Sequence, residues 1–366
     1  MYSQTEIDEA VAAGALTTEA ATALRTHIEQ QRHQPTPDEE QFRLITGFND
    51  IFVSIAAAIL LFAVGFIGQW AGERTGMARD GIIPTFLGPV FVAAASWGLA
   101  MFFTARRRMA LPSILLLLAF VGSVFASTAL LLWNLVGAVP NQSLGSILLA
   151  VSGAVAALSA LIHWRKFKVP ITVAAGAAAV TAIVVGLVSA GLGETSVRAN
   201  ELMLSIVLLL GIGTFLFAMW WDSSDRARVT RRSDVAFWLH LLAAPMIVHP
   251  VFTLLGLNDG NATVGEGLVV ILLYVVLGLT ALAVDRRALL VSALAYVLFA
   301  LNRLFEQLGT VELNVALTAL VIGSALLMLS AFWHQAREMV VTTLPASLQD
   351  RLPLVGRSAP IPQPAA

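Results

Sequence analysis

Ten apolar stretches divide this chain, each about the 20 residues that a helix needs to cross a hydrocarbon layer ~30 Å thick. They run at roughly 48–70, 83–104, 111–132, 144–163, 169–192, 202–221, 235–255, 264–284, 288–305 and 313–333. Leu, Ala, Val, Ile, Gly and Phe make up their bulk without period-two alternation, which excludes a transmembrane β-barrel. Inside lipid each backbone amide must be satisfied within its own segment, so the stretches are predicted to be helices. At 58% hydrophobic, 12% charged and a mean hydropathy of +0.81, the chain is too apolar for a water-soluble fold of 366 residues. The expected fold is an all-α, polytopic transmembrane helix bundle of about ten spans.

The basic residues orient it. Arg25, Arg32 and Arg43 precede the first stretch, and Arg106, Arg107 and Arg108 lie between the second and third. Arg165, Lys166 and Lys168 follow the fourth, Arg226, Arg228, Arg231 and Arg232 the sixth, and Arg286 and Arg287 the eighth. Arg337, Arg351 and Arg357 close the chain. Eighteen of the 22 Lys and Arg residues therefore fall on the two ends or on alternate connections, leaving Arg74, Arg79, Arg198 and Arg303 opposite. Lys and Arg accumulate on cytoplasmic loops, so both termini are expected inside.

Net charge of −1 and short basic clusters give no reason to expect nucleic acid as a partner. The chain has no cysteine, which removes thiolate, disulfide and Cys-based metal chemistry. Its polar, acid-bearing start is unlike a signal peptide, so targeting is expected from the first span. Three regions follow: residues 1–41 as a cytoplasmic helical hairpin and linker, 42–335 as the spans, and 336–366 as a Pro-containing cytoplasmic tail. Within the hairpin, Ile7, Val11, Leu16, Leu24 and Ile28 form a narrow apolar stripe. Gly14 is expected to end its first helix and Thr17 to cap its second. So small a core calls for a docking partner, on the loops, on another protein through residues 1–33, or on a second copy.

Two segments carry a resemblance. The hairpin sequence AAGALTTEAATALR, followed by EEQFRLITGFNDIFVSIAAAILLFAVGFIGQW at 39–70, resembles a DUF-type family of uncharacterised bacterial multi-span membrane proteins. TLPASLQDRLPLVG at 343–356 is similar to that family's Leu-Pro-containing C-terminal stretch. The likeness covers about a quarter of the chain, and it implies a bacterial inner-membrane protein without implying an activity. Asn49 and Asp50, at the first span's cytoplasmic edge, favour the positive end of that helix.

A shift of 120 residues superimposes much of the chain's punctuation: Arg106 on Arg226, Arg108 on Arg228, Asn141 on Asn261 and Lys166 on Arg286. Residues 83–192 and 202–305 are thus candidate parallel repeats of four helices, although regular hairpin spacing also produces such a register.

Ionisable residues buried in a bilayer suggest function by default. Here every Asp and Glu lies at an end, in a loop or near a span edge, which argues against a pump built on a midplane carboxylate. No Walker lysine loop, HExxH pair or GxSxG elbow is present. Polar residues gather towards the outer side of the second half instead. His249 lies beside Pro245 and Pro250; Asp259 and Glu266 face it across the next connection; Asn302, Arg303 and Glu306 end the ninth stretch. Together they form a candidate outward-facing pocket for a small polar or anionic solute, with Arg303 as anchor. An edge ion pair and a histidine hydrogen-bonded to its neighbour helix would explain the same residues. His240 and His249 are about 13.5 Å apart along a helix and cannot share one metal ion. No cofactor is expected.

Glycines at 65, 68, 211, 213 and 278, and the Ala-rich face of the fifth stretch, favour close helix packing, with homo-oligomer contact as an alternative. Arg106–Arg108 and Arg226–Arg232 are placed to meet anionic lipid headgroups. Transport and a non-catalytic scaffold or sensor are the two leading functional readings. An intramembrane enzyme acting on lipid stands third, for want of a visible catalytic constellation.

Overall fold

A computed structural model describes residues 11–24, 48–75, 84–137, 141–193, 197–256, 264–301 and 314–354, except 227, 229, 288 and six positions between 292 and 300. It contains two compact units, residues 1–42 with 360–366, and residues 43–359. In the first unit, Gly14 takes a left-handed φ of +68° and its N–H reaches the carbonyl of Val11. The Thr17 hydroxyl accepts from the Ala20 N–H at 3.1 Å, so Gly14 ends one helix and Thr17 caps the next, as the sequence predicts.

The second unit is helical throughout its described regular structure. In chain order it comprises α1 (Phe48–Arg74), α2 (Leu87–Phe103), α3 (Ala110–Val136), α4 (Gln142–Phe167), α5 (Ile171–Leu192), α6 (Val197–Ser223), α7 (Arg231–Leu254) and α8 (Val264–Val284). Then come α9 (Asn314–Ala331), α10 (Trp333–Thr343) and the short α11 (Ala346–Gln349). Between α8 and α9 the described residues 289–291, 294, 297, 298 and 301 are helical. Among the described residues, seven helices are long and apolar enough to cross a membrane, and α9 with α10 makes an eighth if that 75° bend lies within one span. α2 is equally apolar but shorter. The predicted tail thus begins inside a helix, α10, which buries Trp333, Arg337 and Val341 and packs on α8.

From α1 to α7 each helix pairs most closely with a sequence neighbour: α4 with α5, α6 with α7, α2 with α3, and α1 with α2, while α5 crosses α7 and α8 meets α10. Small residues make these approaches close. A Cβ on Gly186 would stand 2.7 Å from the Ser146 carbonyl oxygen, and one on Gly211 would stand 2.9 Å from the Met246 backbone. Of the predicted packing glycines, Gly213 has nothing within 4 Å of that position. Large exposed apolar side chains, Phe52, Phe62 and Phe66 on α1 among them, cover the outside, as lipid contact requires.

The 120-residue register recurs in the coordinates. α2 ends at Phe103 and α6 at Ser223; α3 begins at Ala110 and α7 at Arg231. Arg108 and Arg228 each adopt φ 54°, a left-handed conformation uncommon outside glycine.

Candidate functional site

The turn from α6 to α7 is tied by Asp225, whose carboxylate accepts from both the N–H and the hydroxyl of Thr230, at 2.9 and 2.6 Å. Thr230 in turn caps α7 by accepting from the Arg232 N–H. These bonds fix the final turn of α6, which carries Asp222, against the first turns of α7, which carries His240 nine residues after Arg231. The third strut comes from beyond α8. Asp285 takes φ 59°, the helix stops, and the N–H of Arg286 closes on the Ala281 carbonyl. That reversal sends the Arg286 side chain inward.

Asp222 and His240 are fully buried and Arg286 is 3% exposed. Arg286 donates to Asp222 Oδ1 at 2.5 Å and Oδ2 at 3.3 Å, and to the Ser233 carbonyl at 3.0 Å. His240 Nε2 lies 3.1 Å from Asp222 Oδ2. An ionised Asp222 can only accept, so Nε2 donates in this bond, and Nδ1 has no hydrogen-bond partner among the described residues. Phe215 meets the imidazole edge-on at 5.1 Å, and Arg286 lies 5.8 Å over Phe237. One carboxylate, one guanidinium and one imidazole thus form a dry node in which most polar groups are satisfied by one another. Buried charges persist only under such pairing.

A second ring surrounds it. Arg228 donates to Asp285 Oδ2 at 2.7 Å and to the carbonyls of Val284 and Asp285. The Trp333 indole donates to Asp285 Oδ1 at 2.7 Å, and Arg337 approaches the same oxygen at 3.7 Å. Burial pushes the Asp285 carboxyl up, but Arg228, Arg337 and the indole outweigh it and hold it below the usual carboxylate range. Burial and the neighbouring Arg286 bring Arg228 down to about 10, against the pull of Asp285 and Asp222. Arg287 stacks over Trp333 at 4.9 Å.

The first half contains a buried histidine in different company. His163 on α4 is 1% exposed and packs against Phe167, Phe120 and Trp97, with ring centroids at 4.6, 5.9 and 6.1 Å. Its Nδ1 lies 3.4 Å from the Thr172 hydroxyl.

Of the six residues predicted to form an outer pocket, Asp259, Asn302, Arg303 and Glu306 lie outside the described residues. Glu266 is placed on α8, but its side chain also lies outside them. His249 occurs on α7 as an exposed residue between buried Val248 and Pro250, and its carbonyl accepts from Thr253. Among the described residues of α7, α8, the helical positions 297 and 301, and α9, Val248, Phe252, Val270, Val297, Leu301 and Ile322 pack together, with Tyr274 against them. Among the described residues, no three His, Asp or Glu side chains gather as a metal site.

Sequence reasoning passed over Asp222 as an edge carboxylate and used Arg286 for topology and for the 120-residue register, not for a site. The available signal was local: an acid directly after two tryptophans at a span end, in a chain with few acids, and a basic doublet after another span. Nothing in their 64-residue separation pairs them. Comparison of the chain with protein-family models, curated proteins and solved structures finds no match.

Proposed function

We propose that this chain is a ten-span protein of the bacterial inner membrane with both ends in the cytoplasm. In this reading it is a non-catalytic scaffold or sensor that recruits a cytoplasmic protein through residues 1–33. The sealed node of Asp222, His240 and Arg286 carries the reading, because its charges are spent on holding α6, α7 and the end of α8 together rather than on facing a solute. The apolar cluster around Phe252 adds to it, occupying space where the transport reading requires a cavity. Segregation of the basic residues supports the orientation. The resemblance at 12–25, 39–70 and 343–356 supports the inner membrane.

Transport keeps one argument of its own, the 120-residue register of helix ends and of the left-handed arginines at 108 and 228. A parallel duplication over 83–192 and 202–305 would be typical of transporter architecture. Two measurements separate the readings. Deleting residues 1–40 is expected to abolish crosslinking of a cytoplasmic partner in cells while the spans unfold as before; undiminished crosslinking overturns the scaffold. Uptake of labelled phosphate, sulfate or amino acids into proteoliposomes, above that of empty liposomes, would establish transport instead.

A further inference from the structure

The C-terminal segment is held in an unusual way. After α11 the chain turns through Asp350 and Arg351, where the N–H groups of Arg351 and Leu352 reach the carbonyls of Leu348 and Gln349, and its polar contacts with the bundle are made through main-chain atoms. Arg226 donates through Nε to the Leu352 carbonyl at 2.9 Å and through Nη2 to the Gln349 carbonyl at 3.1 Å. Arg337 donates to the carbonyls of Pro353 at 2.8 Å and Leu354 at 3.2 Å. The Leu354 N–H returns a bond to the Arg226 carbonyl at 3.3 Å. Two adjacent residues of the segment are buried: Leu352, 6% exposed, packs with Val284 and Val341, with Phe215 and Met219 at the rim, and Pro353 follows it. Two guanidiniums from separate elements therefore read four carbonyls, and an apolar notch reads the leucine.

We infer that this cradle is a peptide-recognition site for a Leu-Pro-bearing turn, occupied in cis by the chain's own residues 349–354. Three features distinguish such a ligand from an ordinary piece of core. Its polar specificity rests on main-chain carbonyls, and its apolar specificity on the adjacent buried pair Leu352 and Pro353. Its connection to the bundle is only Leu344 and Pro345, between α10 and α11. Its receptor is expensive to leave empty, because four charge-assisted hydrogen bonds to Arg226 and Arg337 disappear with the tail. The cradle is also wired to the buried node, since Arg337 serves both the tail carbonyls and Asp285. Tail occupancy and the arrangement of α6, α8 and α10 are accordingly coupled. This site stands whether or not residues 1–33 recruit a partner.

The test uses the full chain with a protease recognition sequence inserted between Leu344 and Pro345. After cleavage in detergent, the tail fragment is expected to stay with the bundle through size exclusion and to exchange with a labelled synthetic peptide of residues 345–358. A Leu352→Asp substitution in that peptide leaves the receptor untouched and is expected to weaken binding roughly tenfold or more; Arg226→Ala in the bundle does the same, the range for losing a charged hydrogen bond. Immediate loss of the fragment from the cleaved wild-type protein overturns the proposal, as does equal binding of the Leu352→Asp peptide. A tail seated from a second copy, seen as a dimeric mass before cleavage, overturns occupancy in cis.

Discussion

Asp222 and Arg286 lie 64 residues apart in the chain and 2.5 Å apart in the fold, an ion pair from which water is excluded. Their pairing locks the basic-side end of the α6–α7 hairpin to the end of α8. It also makes the two residues conditional on each other. Removing one strands a buried charge, whereas removing both does not.

Asp222→Leu alone is therefore expected to destabilise the bundle by about 3–5 kcal/mol, and Arg286→Met by a similar amount. The double replacement Asp222→Leu with Arg286→Met should recover most of that loss. Unfolding in detergent, read through a double-mutant cycle, checks this. Additive losses in the double variant would mean that the pair is not coupled as the geometry requires.

Asp285 predicts a pH dependence. Its folded-state pKa lies below its unfolded value, so its ion pairs add stability that is fully present above the ordinary carboxylate pKa, near 4. That stability is lost as pH falls through the lower, folded value. Asp285→Asn should accordingly be less stable than wild type at pH 7, and its unfolding temperature should fall less steeply below about pH 4. Parallel acid profiles for the two proteins would refute the assignment.

Gly211 and Gly213 make a matched pair of opposite sensitivity. An alanine Cβ at 211 meets the Met246 backbone at 2.9 Å and must force α6 from α7, which costs about 1–3 kcal/mol by the usual scale of overpacking. At 213 the same methyl meets nothing within 4 Å, and alanine is the better helix former. Thermal unfolding of the two variants should show a clear loss for Gly211→Ala and none for Gly213→Ala.

Orientation can be read directly, because the chain has no cysteine of its own. Ser224→Cys, exposed in the α6–α7 turn, is expected to resist a membrane-impermeant maleimide in intact cells and to react once they are permeabilised. Gln142→Cys, exposed at the start of α4, should react in both. The reverse pattern would invert the topology, and reaction of both in intact cells would contradict the three passes, α4, α5 and α6, between them.

Much of the architecture was legible residue by residue. Hydrophobic length forces helices wherever lipid denies the backbone any other partner, and α1 to α8 all begin within a few residues of the predicted limits. Local rules succeeded too: Gly14 and Thr17 act through atoms three residues away. What the chain alone could not determine was which charges would meet. Asp222 and Arg286 each look like ordinary interface residues, because the sequence records their distance from a span end but not the rotation of each helix about its axis. That rotation is set by packing of α6 on α7 and α8 on α10, where a glycine at 211 and a tryptophan at 333 decide which faces are buried. Sequence determined that this is a bundle of membrane-length helices with its positive charge on alternate turns. Tertiary structure decided that several of those charges do not face lipid headgroups or water. They turn inward to bind the carboxylates of Asp222 and Asp285 and the chain's own tail, because a buried charge is tolerable only where its partners are fixed in place.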